Sequence, residues 1–297
     1  MTDALEHHRQ ALTGYCYRML GSPFEAEDAV QETLVRAWRT FDESRGPLKA
    51  WLFRIATTVC LDMLRGAQRR ARAIDLVAPA RPGTPLGPPL PESAWVLPIP
   101  DDRLDPAELA VSRESVRLAF VAALQHLPAR QRAALILRDV LAFSAAETAE
   151  LIGTSVAAAN SALQRARAAL PATPEAEPVD EDLVERYLDA FMRNDVDTLV
   201  KLLHADATMT MPPFTWWLRG RDDLEAVLRV ANTPCHDNRF VPAMANGGRV
   251  FAQYLPDGTP FALLMLETRG GLVVGSATYL DAERIFPLFD EFRSQAS

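Results

Sequence analysis

The chain has 297 residues, long for one domain and comfortable for two or three. With 48% hydrophobic and 24% charged residues its composition is that of a folded protein, which excludes a largely disordered chain. A net charge of −8 does not exclude nucleic acid, because binding follows from where arginines cluster rather than from the total.

Three scattered cysteines (Cys16, Cys60, Cys235) have no metal-ligand spacing, so reduced thiols and no metal or cofactor are expected. The opening MTDALEHHRQ has no apolar signal core, and no run approaches the roughly 18 apolar residues of a membrane span. A soluble, cytoplasmic protein without a membrane partner is expected.

The first predicted helix is EAEDAVQETLVRAW, Glu25 to Trp38. Ala26, Val30, Leu34, Ala37 and Phe41 form its apolar stripe, and Asp28, Glu32, Arg36 and Arg39 share another face. On periodicity alone that face also reads as a solvated surface laced with pairs such as Glu32 with Arg36. The next helix begins at Leu48. Its stripe is Leu48, Leu52, Ile55, Val59 and Met63, while Arg54, Thr58, Asp62, Arg65, Arg69 and Arg72 line another face. Guanidinium forks suit phosphates and guanine edges, although a solvated surface tolerates arginines too.

Residues 76–112 carry nine prolines and read as an extended linker. Within it WVLPIPDD, Trp95 to Asp102, looks anchored, with Trp95, Leu97 and Ile99 as docking residues. From Leu127-Pro128 a helix runs through Leu141. Ser144 to Glu147 is a capping box opening a short helix that stops at Gly153, and Thr154-Ser155 caps a longer helix ending before Pro171. Helix, glycine turn and longer helix form a helix-turn-helix pattern. Val156, Ala159, Leu163 and Leu170 are expected inward; Ser155, Asn160, Ser161, Gln164 and Arg165 outward, where a recognition helix reads bases. A plain helical hairpin would share the pattern. PATPEAEP, from Pro171, then marks a second break.

The third unit starts near residue 179 and is acidic, with 11 Lys+Arg against 20 Asp+Glu over 171–297. Leu183, Tyr187, Leu188 and Phe191 mark a helix ending at Asn194-Asp195. Ala207–Met211 alternates as a strand, and Asp222–Val230 suits a helix. Strands are predicted over Arg239–Ala245, Arg249–Leu255, Phe261–Thr268 and Leu272–Leu280, with turns at Asp257-Gly258 and Gly270-Gly271. Helices followed by a strand meander give an α+β fold on one curved sheet. The full organisation is therefore multidomain, two all-α domains followed by one α+β domain.

Three segments, FEAEDAVQETLVRAW, LKAWLFRIATTVCLDMLRGAQRR and LPARQRAALILRDVLAFSAAETAELIGTSVAAANSALQRARAAL, resemble extracytoplasmic-function sigma factors of the sigma-70 family, in the family's order. The resemblance implies a sigma region 2 over 1–75, a linker over 76–112 and a sigma region 4 over 113–171. It implies core RNA polymerase and promoter DNA as partners. Asp28, Gln31, Glu32 and Arg36 would face the polymerase; Trp51, Arg54, Thr58, Asp62, Arg65 and Arg69 would face the −10 element. Ser155, Asn160, Ser161, Gln164 and Arg165 would read the −35 element. Thr58 stands where the family often has Asn, and Ala157, Ala158 and Ala159 stand where basic residues are common.

The order of elements around MPPFTWWLRGRDDLEAVL resembles a SnoaL-like domain of the cone-shaped nuclear transport factor fold over 179–297. Such folds host isomerases and cyclases with acid–base groups in an apolar pocket. His204, Asp206, His236 and Asp237 are the candidates here, each expected in a loop, and fold alone does not transfer activity. No catalysis is expected. Phe214, Trp216 and Trp217 are a candidate pocket for an unidentified small-molecule ligand, although aromatics at a core are commoner. The function expected is promoter-directed initiation modulated by the chain's own C-terminal domain, its sign left open. An isomerase or cyclase fused to a DNA-binding module, and a stand-alone helix-turn-helix regulator, are the alternatives.

Overall fold

The computed structural model describes residues 2–40, 47–65, 70–111, 113–170, 180–230 and 238–293. Phe41, Arg69, Cys235, His236, Asp237 and the break that opens at Pro171 lie outside them. The chain divides into two compact units, Met1–Ala71 with Ser93–Pro174, and Arg72–Glu92 with Glu175–Ser297. The proline-rich stretch read as one linker is thus shared, its first part belonging to the second unit and its remainder to the first.

The first unit is helical. After α1 (Thr2–Glu6), helix α2 (Arg9–Leu20) is buried on every side from Ala11 to Leu20, the mark of a central helix. Gly21 ends it at φ 75°, a left-handed conformation that a side chain would strain. Around it pack α3 (Pro23–Thr40) and α4 (Leu48–Met63). The stripe predicted for α3 is buried at Ala26, Val30, Leu34 and Ala37. That of α4 is rotated. Leu52, Phe53, Ala56, Thr57, Val59 and Cys60 are buried, while Ile55 and Met63 are only partly so. Phe53 sets the rotation, because its ring meets Tyr15 edge-on at 5.4 Å and Tyr15 shares a 2.8 Å hydrogen bond with Thr57. Helix α5 (Ala73–Leu76) already belongs to the second unit, so Arg72 bonds Asp75 there instead of extending the face of α4.

The second helical lobe follows α6 (Pro106–Val111) and comprises α7 (Leu118–Gln125), α8 (Ala129–Leu135), α9 (Ala145–Leu151) and α10 (Val156–Ala169). A π-turn over Ile136–Val140 continues α8. The capping box is formed: the Glu147 amide donates to Ser144 Oγ at 3.2 Å, and the Ser144 amide to Glu147 Oε2 at 2.7 Å. Gly153 turns the chain at φ 65°, and Ser155 Oγ accepts from the Ala158 amide at 3.2 Å. Ala159, Ala162, Leu163 and Ala166 face inward. Val156, expected inward, is 44% exposed, because the first helical position precedes the stripe that α8 covers.

The two lobes interlock through buried polar groups. Arg18 donates from Nε to the Ser115 carbonyl (3.1 Å) and from Nη2 to Ser115 Oγ (2.9 Å), and pairs with Glu108 at 3.0 Å. Arg132 donates to the Met19 carbonyl, and Gln125 Nε2 to the Arg18 carbonyl at 3.2 Å. Burial pulls the Arg18 pKa down and pushes the Glu108 carboxyl up, each against the attraction of its partner.

The second unit is built on a six-stranded sheet in the order β2-β1-β6-β5-β4-β3. Helices α11 (Glu181–Met192) and α12 (Val196–Leu202) lead into β1 (Leu203–Thr210) and β2 (Trp217–Arg219). Helix α13 (Arg221–Val230) precedes the meander β3 (Arg239–Ala245), β4 (Gly248–Tyr254), β5 (Pro260–Arg269) and β6 (Leu272–Tyr279). β1 runs parallel to β6, and irregularities of register at Leu203/Thr208, Gln253/Tyr254 and Glu267/Thr268 give the sheet its curvature. Leu183, Tyr187, Leu199, Leu218, Leu224 and Val273 join in one core. Tyr254 meets Phe286 at 5.2 Å, in the closing stretch with α14 (Ala282–Ile285) and α15 (Asp290–Arg293). Helix α12, strand β2 and this closing stretch are additions to the elements expected from the sequence.

Candidate polymerase and promoter interfaces

On α3, Asp28, Gln31, Glu32 and Arg36 all stand exposed, and Arg36 Nε reaches Glu32 Oε1 at 2.6 Å. Exposed pairs of this kind contribute little stability, so the face remains available to a partner. The structure adds two residues that sequence reasoning missed. Val35 is 43% exposed and Trp38 61%. Their signal was present, since neither falls on the stripe of Ala26, Val30, Leu34 and Ala37. A large exposed aromatic beside carboxylates is the composition of a protein contact.

Along α4, Arg54, Thr58, Asp62 and Arg65 are exposed, and Trp51 is half-buried. Thr58 Oγ1 donates to the Arg54 carbonyl at 3.1 Å, and Arg65 pairs with Asp62 at 3.1 Å. A cavity of about 860 Å³ adjoins this face. Arg36, Arg39, Trp51, Arg54 and Thr58 line one wall, and Glu147 and Glu150 of α9 line the other. Arg54 Nη1 meets Glu150 Oε1 at 3.3 Å. Hydrogen bonds from Ser144 hold the Glu147 carboxyl below the usual carboxylate range, so it remains an anion in this groove. Carboxylates from the second lobe therefore face arginines suited to phosphate.

On α10, Asn160, Gln164 and Arg165 are exposed and Ser161 is half-buried. Arg165 Nη1 donates to Ser161 Oγ at 2.6 Å. Ser155 is committed to its cap.

The linker's two parts go to different places. Trp95, Leu97 and Ile99 are buried in the first unit. Arg70 donates to the Trp95 carbonyl at 2.8 Å, Tyr17 OH to the Leu97 carbonyl at 2.8 Å, and the Leu97 amide to the Gly21 carbonyl at 3.0 Å. They anchor the linker to the helical lobes. The preceding stretch lies as a strap on the second unit. Trp217 Nε1 donates to the Val77 carbonyl (2.9 Å) and Trp216 Nε1 to the Thr84 carbonyl (3.0 Å). The Ala80 amide bonds the Trp217 carbonyl at 2.7 Å, the Leu90 amide the Pro213 carbonyl at 2.8 Å, and Arg284 pairs with Glu92 at 3.0 Å. Trp216 and Trp217 are buried and Phe214 is half-buried. The two indoles are thus engaged with the strap.

His204 and Asp206 lie on β1, not in loops. The Asp206 amide donates to His204 Nδ1 at 3.1 Å, and the exposed Asp206 carboxylate sits 3.9 Å from Arg219. Neither lines a described apolar recess.

An acidic and aromatic helix face, an arginine-bearing helix beside it and a helix-turn-helix in the same unit define a promoter-specificity subunit of transcription. Comparison with known proteins agrees. Residues 4–70 match Sigma-70 region 2, residues 117–170 match Sigma-70, region 4, and residues 184–281 match the SnoaL-like domain. The ECF RNA polymerase sigma factor SigG of Mycobacterium tuberculosis is 42% identical over 312 residues, spanning 96% of this chain and 82% of SigG. SigJ of the same organism is 35% identical over 207 residues, 68% of this chain and 62% of SigJ. The crystal structure of SigJ superposes with a TM-score of 0.67 at 27% identity, covering 99% of each chain. The chain belongs to the ECF RNA polymerase sigma factors. Its function is that of the family, promoter-directed initiation of transcription. These relatives are sigma factors, not enzymes.

Proposed function

We propose that the C-terminal unit of this sigma factor restrains initiation by holding the linker between the two sigma regions. The observation that carries this is the strap: two buried indoles donate to its carbonyls, and two of its amides pair with the same aromatic segment. Polymerase can use the linker only when the strap has left those donors. The unit acts without catalysis, in a cytoplasmic protein; no helix among the described residues is long and apolar enough to cross a membrane.

The remaining roles follow the chemistry of each face. Asp28, Gln31, Glu32 and Arg36, with Val35 and Trp38, meet the polymerase core. Trp51, Arg54, Thr58, Asp62 and Arg65, with Arg69, capture the opened −10 strand, where stacking and arginine contacts offset unpairing. Asn160, Ser161, Gln164 and Arg165 read the −35 element from α10, with Ser155 at its N-terminus.

In vitro transcription with core polymerase and a genomic promoter library tests the restraint. A chain ending before residue 179 is expected to initiate more than the full chain at matched protein concentration. Equal output across salt concentrations would overturn it, and lower output would make the unit an activator.

A further inference from the structure

The second unit also contains a recess lined by a buried carboxamide that the described residues leave unsatisfied. Asn238 is 3% exposed, and among the described residues neither its Nδ2 nor its Oδ1 has a hydrogen-bond partner. Gln253 is 2% exposed, and its Nε2 is likewise without a partner. Gln253 stands opposite Phe240 in the β3–β4 register, so alternation puts Asn238, Phe240, Phe251 and Gln253 on one face of the sheet. Phe251 packs there against Leu188 of α11. A cavity of about 490 Å³ opens beside Asn238, lined also by Phe240, Pro242, Phe251, Leu188 and Met192, with Glu185 and Arg239 at its edge; Gln253 shares the face but does not line it.

Buried amides are nearly always bonded, and each unbonded one costs free energy that a suitable partner recovers. A largely apolar recess with a few fixed polar groups is the composition of a small-molecule site, and this volume falls within the range such sites span. The chemistry narrows the ligand. Glu185 and Arg239 are both exposed at the rim, and the Arg239 guanidinium is already stacked 4.6 Å over Tyr254. Among the described residues that line the recess none is a buried charge that would neutralise an ion, and burying an unpaired one is costly. The Asn238 carboxamide offers a donor and an acceptor side by side, which match an N–H and a C=O on adjacent atoms.

We propose that this recess binds a small, uncharged, mostly apolar molecule bearing a lactam, whose cis amide presents its N–H and C=O on one side and is clasped by both ends of the Asn238 carboxamide. The site is separate from the aromatic segment that holds the strap, and it does not depend on the restraint proposed above.

The test uses the full chain and two matched probes, the bicyclic lactam 3,4-dihydro-2-quinolinone and its hydrocarbon counterpart tetralin. Saturation-transfer NMR and calorimetric titration should show the lactam binding about tenfold or more tightly than tetralin, the discrimination that paired polar groups provide. Asn238→Leu, nearly isosteric, should abolish the preference and leave the melting temperature equal or higher, because it removes an unsatisfied amide. Met192→Trp, placed at a half-buried position to fill the recess, should remove binding of both probes. Equal affinity for the two probes, no lactam signal at millimolar concentration, or a preference that survives Asn238→Leu would overturn the proposal. So would a lowered melting temperature in that variant, which would show the amide to be satisfied by solvent.

Discussion

Replacing both strap-holding indoles, Trp216→Phe with Trp217→Phe, isolates what they contribute. Each substitution keeps an aromatic ring but removes one N–H, the donors to Thr84 and Val77 at 3.0 and 2.9 Å. A net hydrogen bond is worth about 0.5–1.5 kcal/mol, so the pair amounts to about 1–3 kcal/mol, or roughly a 5- to 150-fold rise in strap opening. The backbone bonds of Ala80 and Leu90 and the Arg284–Glu92 pair survive, so the strap should stay mostly seated. Native-state hydrogen exchange reads this directly, since the Ala80 and Leu90 amides exchange only on opening. Their rates should rise by that factor, while Ala252 and Leu264 in the centre of the sheet serve as the reference for general loosening. Unchanged strap exchange, or a rise merely in step with Ala252 and Leu264, would refute the claim that the indoles hold the strap.

Asp28→Arg or Glu32→Arg should weaken binding to core polymerase without altering the fold, and Trp38→Ala should cost on the order of 2 kcal/mol if it anchors the contact; titration against labelled core checks both. Arg165→Ala and Asn160→Ala should lower transcription in a way that depends on the −35 sequence, whereas Arg65→Ala and Arg69→Ala should impair opening at −10. Each lost contact is worth about 1–3 kcal/mol, and normal permanganate footprints in the last two variants would sink that assignment. In the C-terminal unit, hydrogen bonds from Thr198 hold the Asp195 carboxyl below its ordinary 3.8. Its contribution is therefore present above pH 3.8 and lost as pH falls through the lower folded value. The gap in melting temperature between wild type and Asp195→Ala should close in acid, and a constant gap from pH 6 to pH 3 would contradict this.

Elements with a local signature were legible in the sequence. Ser144 and Ser155 cap α9 and α10 as their spacing requires, and the strand from Arg239 to Ala245 was bounded as observed. Helix α2 was not, because a helix buried all round has no stripe to detect. The α4 stripe was misplaced by a fraction of a turn, since only tertiary packing reveals that Phe53 turns toward Tyr15 and Phe143. The linker shows a different limit. Proline content forecast an irregular backbone, but a carbonyl accepts from any donor, so nothing local paired Val77 with Trp217 or separated its fate from that of Trp95. Asn238 was silent for a similar reason: an asparagine beside a strand reads as a turn residue, and only burial makes its amide conspicuous.

The interlock of Arg18, Gln125 and Arg132 bears on how such a chain finds DNA. Elements named for positions −35 and −10 are separated by about 25 base pairs, roughly 85 Å along B-form DNA at 3.4 Å per pair. Here α4 and α10, the helices proposed above to face them, share one compact unit, with Arg54 of α4 touching Glu150 of α9 at 3.3 Å. A chain in this state cannot straddle a promoter, so its affinity for DNA is reduced by the fraction of molecules that have opened. On the roles proposed above, core polymerase supplies the free energy of separation. On that assignment promoter recognition becomes a property of the assembled enzyme, and the free subunit is kept from occupying its own target sites.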